Sequence, residues 1–362
     1  MRRIAVALIA LVVAVGCSKE EPKPVLDSYV YEPVRTAGAF ISMVEKPDAS
    51  RALLIGAAAK ALAPVFERAG VKAFTRIDGR FDIVVVDCGD MSSAACNRVV
   101  SCLTENGIVS WMMDVRGLTA SRFRARLKSF SLESFHLWMP GADQWVVVGR
   151  NVPRQIKLSA MLDVFNREGL FEDLSRANCE TLPEVFANYV GERQDVMPAF
   201  AALESSAEIR AENFITKDVR PVAWISSEGM DEDIASSVLA EIRSMQVVRR
   251  LVAEGNLIAS SAASKKDEER ATESWARAAL RNPNDLMLLE RIDRLGRNAR
   301  GFLEVGKLLQ AMKCYETMVL IRPNDASAVH NFGMCLKKVG KADLAEQVLS
   351  RAKKLLEGKT GL

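Results

Sequence analysis

The chain has 362 residues, 49% hydrophobic and 26% charged, which is enough apolar material for two domains with cores of their own. A formal net charge of +3, part of it on Arg2 and Arg3 in a segment expected to be removed, lacks the dense Lys/Arg face that nucleic-acid binding needs. The seven cysteines form no C-x-x-C pair and the two histidines, His136 and His330, are far apart, so the spacing argues against a zinc site.

Arg2-Arg3 opens the chain, and Ile4 to Val15 is an apolar run of twelve residues, too short to span a bilayer but right for a signal peptide. It ends at Ala14-Val15-Gly16-Cys17. Those four residues resemble a bacterial lipobox, with Ala14 where leucine is usual. The resemblance implies cleavage after residue 16 and lipidation of Cys17. Ser18 and Lys19, where an aspartate would retain the protein at the inner membrane, imply the outer membrane of a bacterial cell envelope, facing the periplasm. Acyl chains anchor by burying CH₂ groups at ~0.8 kcal/mol each, so no transmembrane helix is required. The plain alternative is a secretory signal with a stray cysteine. Residues 17–35 read as a flexible tether, because Lys19-Glu20-Glu21-Pro22-Lys23-Pro24 is charged and proline-containing.

An α/β pattern follows. Thr36 to Val44 reads as a short helix, and Ala52-Leu53-Leu54-Ile55 as a strand ending in a tight turn at Gly56. Leu62, Val65 and Phe66 share a helix face that stops at Gly70, with Pro64 tolerable only in the first turn. Val71 to Thr75 is a short strand, and Phe81 to Val86 a central one whose β-branched run implies burial on both faces, as in a parallel sheet. Ser92 to Leu103 is helical, Asn106-Gly107 turns into a strand over Ile108 to Met112, and Thr119 to Phe130 is a basic amphipathic helix. Phe135 to Trp138 and Gln144 to Gly149 flank a turn at Pro140-Gly141-Ala142-Asp143, giving a closing hairpin. Cys96 and Cys102 are either buried thiols or, in an oxidising compartment, a disulfide.

Taken in order, these segments resemble the spermidine-synthase-like, S-adenosylmethionine-methyltransferase-type domain. Phe214-Ile215-Thr216-Lys217-Asp218-Val219-Arg220-Pro221 resembles the N-T-D-D-x-P segment near that domain's end, with Ile215 for asparagine, Lys217 for the first aspartate and Pro221 one residue late. The resemblance covers about residues 36–226. It implies a Rossmann-like, mostly parallel sheet, here trimmed. A working member would hold S-adenosylmethionine, or its decarboxylated form, on a Gly-rich loop after the first strand. Only Gly56 of that loop remains, followed by Ala57-Ala58-Ala59, whose Cβ atoms intrude where backbone should approach a ligand. The interval from Gly70 to Phe81 is too short for a second strand with its ribose-binding acid, a helix and a third strand. Asp87-Cys88-Gly89-Asp90 keeps the D-x-x-D spacing of the aminopropyltransferase loop, where one carboxylate takes a proton from the substrate amine and the pair steers a polyamine. The blander reading makes Asp87 and Asp90 turn residues capping the Ser92 helix.

Past Ser226 the composition becomes Ala, Leu, Arg and Glu with helical periods, beginning with a connecting helix over residues 227–251. Over 252–362 a repeat appears. Asn282-Pro283-Asn284-Asp285 recurs as Arg322-Pro323-Asn324-Asp325, and Val305-Gly306-Lys307, Ala311 and Tyr315 recur at an offset of 34 as Val339-Gly340-Lys341, Ala345 and Leu349. This period is that of tetratricopeptide repeats, about three of them, forming an all-α second domain. The last repeat would present Ser327, His330, Met334, Lys337 and Lys338 to a protein or peptide partner, unless Lys337-Lys338 is simply a solvated face. The expectation is a lipid-anchored, non-catalytic protein without a cofactor. The alternatives are a divergent aminopropyl- or methyltransferase using Asp87 and Asp90, or a polyamine sensor.

Overall fold

The computed structural model describes residues 28–57, 59–87, 91–129, 134–167, 169–177, 179–215, 222 and 224–359. Cys17 with the signal and Asp90 with the end of the D-x-x-D stretch lie outside them, as do residues 216–221 of the Phe214 segment. The described chain forms two compact units that divide after Gln246.

The first unit is built on a seven-stranded mixed sheet of order β2-β1-β3-β4-β6-β5-β8. Its strands are β1 (Arg51–Gly56), β2 (Lys72–Phe74), β3 (Phe81–Asp87), β4 (Leu103–Asp114), β5 (Ser134–Trp138), β6 (Gln144–Arg150) and β8 (Tyr189–Glu192). β2, β1, β3 and β4 pair in parallel, and β6, β5 and β8 continue antiparallel, so five of the seven strands run one way. Ile83 to Val86 are all buried, as a strand covered on both faces requires. No helix joins β2 to β3. The intervening residues 75–80 are irregular, which is why so short an interval suffices.

The first helix, α1 (Ser28–Glu45), differs most from expectation. It begins within the stretch read as tether and carries Pro33 inside it. Burial outweighs the proline's missing hydrogen bond: Val34, Ala37, Phe40, Ile41 and Val44 are all core residues. α1 packs on β4 and β6. A Cβ on Gly38 would meet Met112 Sδ at 3.3 Å, and Ser42 Oγ donates to Ser110 Oγ at 2.7 Å. Glycine is therefore what lets the helix axis approach the sheet.

Further differences have local causes. Pro64 stands sixth in α2 (Ala59–Arg68), past the first turn, and Leu62, Val65 and Phe66 bury the helix face around it. Asn106-Gly107 does not reverse the chain. It lies within β4 as an irregularity against β3, where a Cβ on Gly107 would come within 2.9 Å of the Phe81 carbonyl. Ser92, not an aspartate, caps α3 (Ser93–Ser101), accepting from Ala95 N. Cys96 and Cys102 are free thiols, and burial raises the pKa of both. After α4 (Ala120–Ser129) and the hairpin come a short strand β7 (Ile156–Lys157), helices α5 (Leu158–Phe165), α6 (Phe171–Arg176) and α7 (Leu182–Phe186), and α8 (Arg193–Ala202) behind β8. β7 pairs with β9 (Ile225–Ser226), setting Trp224 beside the main sheet's edge. β8 had no counterpart in the sequence reading.

The second unit is helical. α9 (Glu232–Ser260) is one continuous helix that runs past the expected end at residue 251 and carries the division between units. α10 (Lys265–Arg281), α11 (Leu286–Glu304), α12 (Leu308–Ile321), α13 (Ala326–Lys338) and α14 (Ala342–Lys359) follow. Asp285 and Asp325 cap α11 and α13 through the amides three residues on, and Gly306 and Gly340 take φ values of 72° and 82° between the paired helices. Small residues set the crossings. A Cβ on Gly333 would sit 2.8 Å from Leu349, and one on Gly255 would strike the Trp275 indole. Arg322 and Arg351 donate to the carbonyls of Pro283 and Pro323, tying each proline turn to a later helix. Among the described residues no helix is long and apolar enough to cross a membrane.

Candidate functional site

Among the charged clusters of the α/β unit, α1 reaches two. The first is the one the sequence singled out. Gly56 and Asp87 end the paired strands β1 and β3 in direct register, and Gly56 makes the turn with φ 100°. Ala57 N donates to the Asp87 carbonyl at 3.0 Å. Ala57 is exposed and Ala59 half-buried. The Asp87 carboxylate is held by Arg35 of α1, with Nη2 to Oδ2 at 2.9 Å and the two side chains 22% and 11% exposed. Asp87 is thus an ion-pair partner of Arg35. The arginine that holds it belongs to the stretch read as tether.

The second place lies at the other end of α1, ten residues and ~15 Å along the helix. Glu45, the last residue of α1, is fully buried beneath β5 and β6. Its Oε1 receives His136 Nδ1 at 2.7 Å and Trp138 Nε1 at 2.9 Å, and its Oε2 receives the Arg150 guanidinium. The pattern follows from the pleat. His136 and Trp138 are two apart on β5 and share a face, and Arg150 is opposite Ser134 on β6. Burial alone would raise the Glu45 pKa, but the charges of His136 and Arg150 and the hydrogen bonds from His136 and Trp138 outweigh it and hold the carboxyl below its ordinary value of 4.5. A buried carboxylate with three donors is satisfied, and it fixes the His136 ring so that Nδ1 faces inward.

Aromatic rings wall this network. Trp224 stacks on His136 with centroids 4.6 Å apart, and its Nε1 donates to Tyr189 Oη at 3.1 Å. Tyr189 packs edge-on against Trp138 at 5.0 Å, and burial, partly offset by the Trp224 hydrogen bond, pushes its hydroxyl well above 10. The outer side of the network opens into a cleft of about 790 Å³, lined among others by Phe135, His136, Arg150, Glu192, Met197 and Trp224. That volume is within the range of small-molecule sites.

Sequence reasoning missed this cleft. Glu45 was the residue after a short helix, His136 a lone histidine and Arg150 the residue past a strand. The signal present was alternation: His136 and Trp138 are polar-capable residues on one face of an otherwise apolar hairpin. In the helical unit, Ser327, His330, Met334, Lys337 and Lys338 are all exposed on α13 at spacings that keep them on one side of the helix. Among the described residues no group of three or more His, Cys, Asp or Glu side chains is placed to hold a metal ion. The chain matches no model of a known protein family and has no significant similarity to a curated protein, so the chemistry of the site is carried by its geometry.

Proposed function

We propose that this chain is a non-catalytic, lipid-anchored envelope protein. Its α/β unit is a trimmed spermidine-synthase-like scaffold of Rossmann type, and its tetratricopeptide-like helices bind a protein or peptide partner. The observation that carries the reading is the Arg35–Asp87 ion pair. The carboxylate that would accept a proton from an amine substrate is neutralised by a guanidinium from the chain's own first helix, which also counts against a polyamine seat there. The absence of a helix between β2 and β3 supports the same reading, because that segment would carry the ribose-binding acid. In the tail, the glycines 34 residues apart at matching left-handed positions, the paired aspartate caps and the glycine-mediated crossings support repeat units. The exposed side of α13 then offers an acidic partner two adjacent lysines beside Met334.

Calorimetric titration with S-adenosylmethionine and its decarboxylated form tests the first half. No heat is expected, and micromolar binding would overturn it. For the second half, site-specific photo-crosslinking from position 334 in cells should give one adduct that the double charge reversal Lys337→Glu/Lys338→Glu removes. Cys17→Ser should move the protein from the membrane to the soluble fraction. Retention at the membrane would sink the anchor.

A further inference from the structure

We propose that the cleft over the Glu45–His136–Arg150 network is a binding site for a small organic anion, a carboxylate joined to a flat apolar group. The inference goes beyond the partner-binding role and does not depend on it. Two side chains that are more than nine-tenths buried open into this cleft, and Arg150 does so with donors to spare. Arg150 is 5% exposed and spends Nη2 on Glu45, and among the described residues its remaining N–H groups take no partner. His136 is 6% exposed and spends Nδ1 on Glu45, and its Nε2 likewise takes no partner among the described residues. Both rest on a carboxylate behind them, so each is oriented before any ligand arrives, which lowers the cost of binding.

The charges select the ligand's sign. Glu45 is consumed by three donors on the far side of the network. Glu192, the acid on the cleft wall, caps the helix that follows it and receives Gln194 Nε2 at 3.3 Å. The Arg150 guanidinium edge faces the opening, and its planar fork pairs with a planar carboxylate, while the His136 ring beside it lies where a bound anion would shift its resonances. Phe135, Pro153, Met197 and Trp224 supply the apolar wall, and the size of the cleft leaves room for a body larger than a bare ion. Arg154 stands at the rim, half-exposed and 3.4 Å from Asp48, where it adds to the field without closing the opening.

The two histidines of the chain make the test direct, because His330 lies in the helical unit and serves as an internal control. The imidazole ¹H–¹⁵N resonances of the full chain are followed while benzoate is added. Binding with a Kd of about 1 mM or tighter is expected to shift His136 and leave His330 in place. Arg150→Lys, which keeps a positive charge beside Glu45 but loses the planar fork, should weaken benzoate binding at least tenfold with the rest of the spectrum retained. Inorganic phosphate at the same concentrations should shift His136 far less. The proposal is overturned if His136 does not move, if both histidines move alike, if Arg150→Lys binds benzoate as well as the native chain, or if phosphate matches benzoate.

Discussion

The two units are tied together over different sequence distances. In the α/β unit the decisive contacts join residues about a hundred positions apart: Glu45 reaches His136, Trp138 and Arg150 across separations of 91, 93 and 105. In the helical unit the ties span about one repeat. Trp275 donates to Asn256 across 19 residues, and Arg322 and Arg351 reach Pro283 and Pro323 across 39 and 28. The difference teaches where function can hide. Contacts within a repeat leave a periodic trace in the sequence, whereas a buried charge assembled between a helix and a distant hairpin leaves none.

The sharpest way to break the comparison is Glu45→Ala. It strands a guanidinium and an imidazole in the interior and should cost about 3–5 kcal/mol. Four of the five tryptophans, Trp111, Trp138, Trp145 and Trp224, lie in the α/β unit, so fluorescence-detected urea unfolding should show the loss. A loss under about 1 kcal/mol would mean that the network does not hold this unit. Acidification probes the same group more gently. The Glu45 carboxyl is held below 4.5 in the fold, so its contribution is present above that value and fades as pH falls through the depressed pKa. Asp48 and Asp82 of the same unit are also held low, in each case against the opposing effect of burial, by hydrogen bonds that include Lys46 and Ser50 respectively. Tryptophan fluorescence should therefore report α/β unfolding at a higher pH than far-ultraviolet ellipticity reports loss of the helical unit. The reverse order would contradict the assignment of acid sensitivity to this network.

On the helical side, Gly333→Val should cost about 1–3 kcal/mol, because its first carbon already meets Leu349 at 2.8 Å. A neutral result in thermal unfolding would show that α13 and α14 can separate without penalty. Asp325→Ala removes the cap on Ala328 N, a 3.0 Å hydrogen bond, and should cost about 1 kcal/mol. The smallest change expected is Lys337→Ala. The residue is exposed, so stability should stay within about 0.5 kcal/mol while any acidic partner is lost.

These residues also mark what could be read in advance. The strands at Ala52, Phe81 and the Phe135–Gly149 hairpin were legible because apolar runs and turn residues are local signals. So were the capped helices of the tail, whose Asp285, Asp325, Gly306 and Gly340 recur at set offsets. Arg35 was misread because charge and proline density up to Pro33 imitate a tether, while the burial that makes the segment helical depends on Met112 and Val146 lying beneath Gly38. Asn106-Gly107 was misread because a turn dipeptide and a close backbone approach both call for glycine.

By itself the sequence determined the class of each half, an α/β sheet and then a helical array. Hydrophobic period, capping and glycine placement act over a few residues and so survive in a linear reading. Only the tertiary structure decided which charges meet. It put Arg35 on Asp87, and it brought Glu45, His136 and Arg150 together beneath an open cleft. Ionic pairing inside a sheet depends on strand order and face, and those follow from how the whole chain packs.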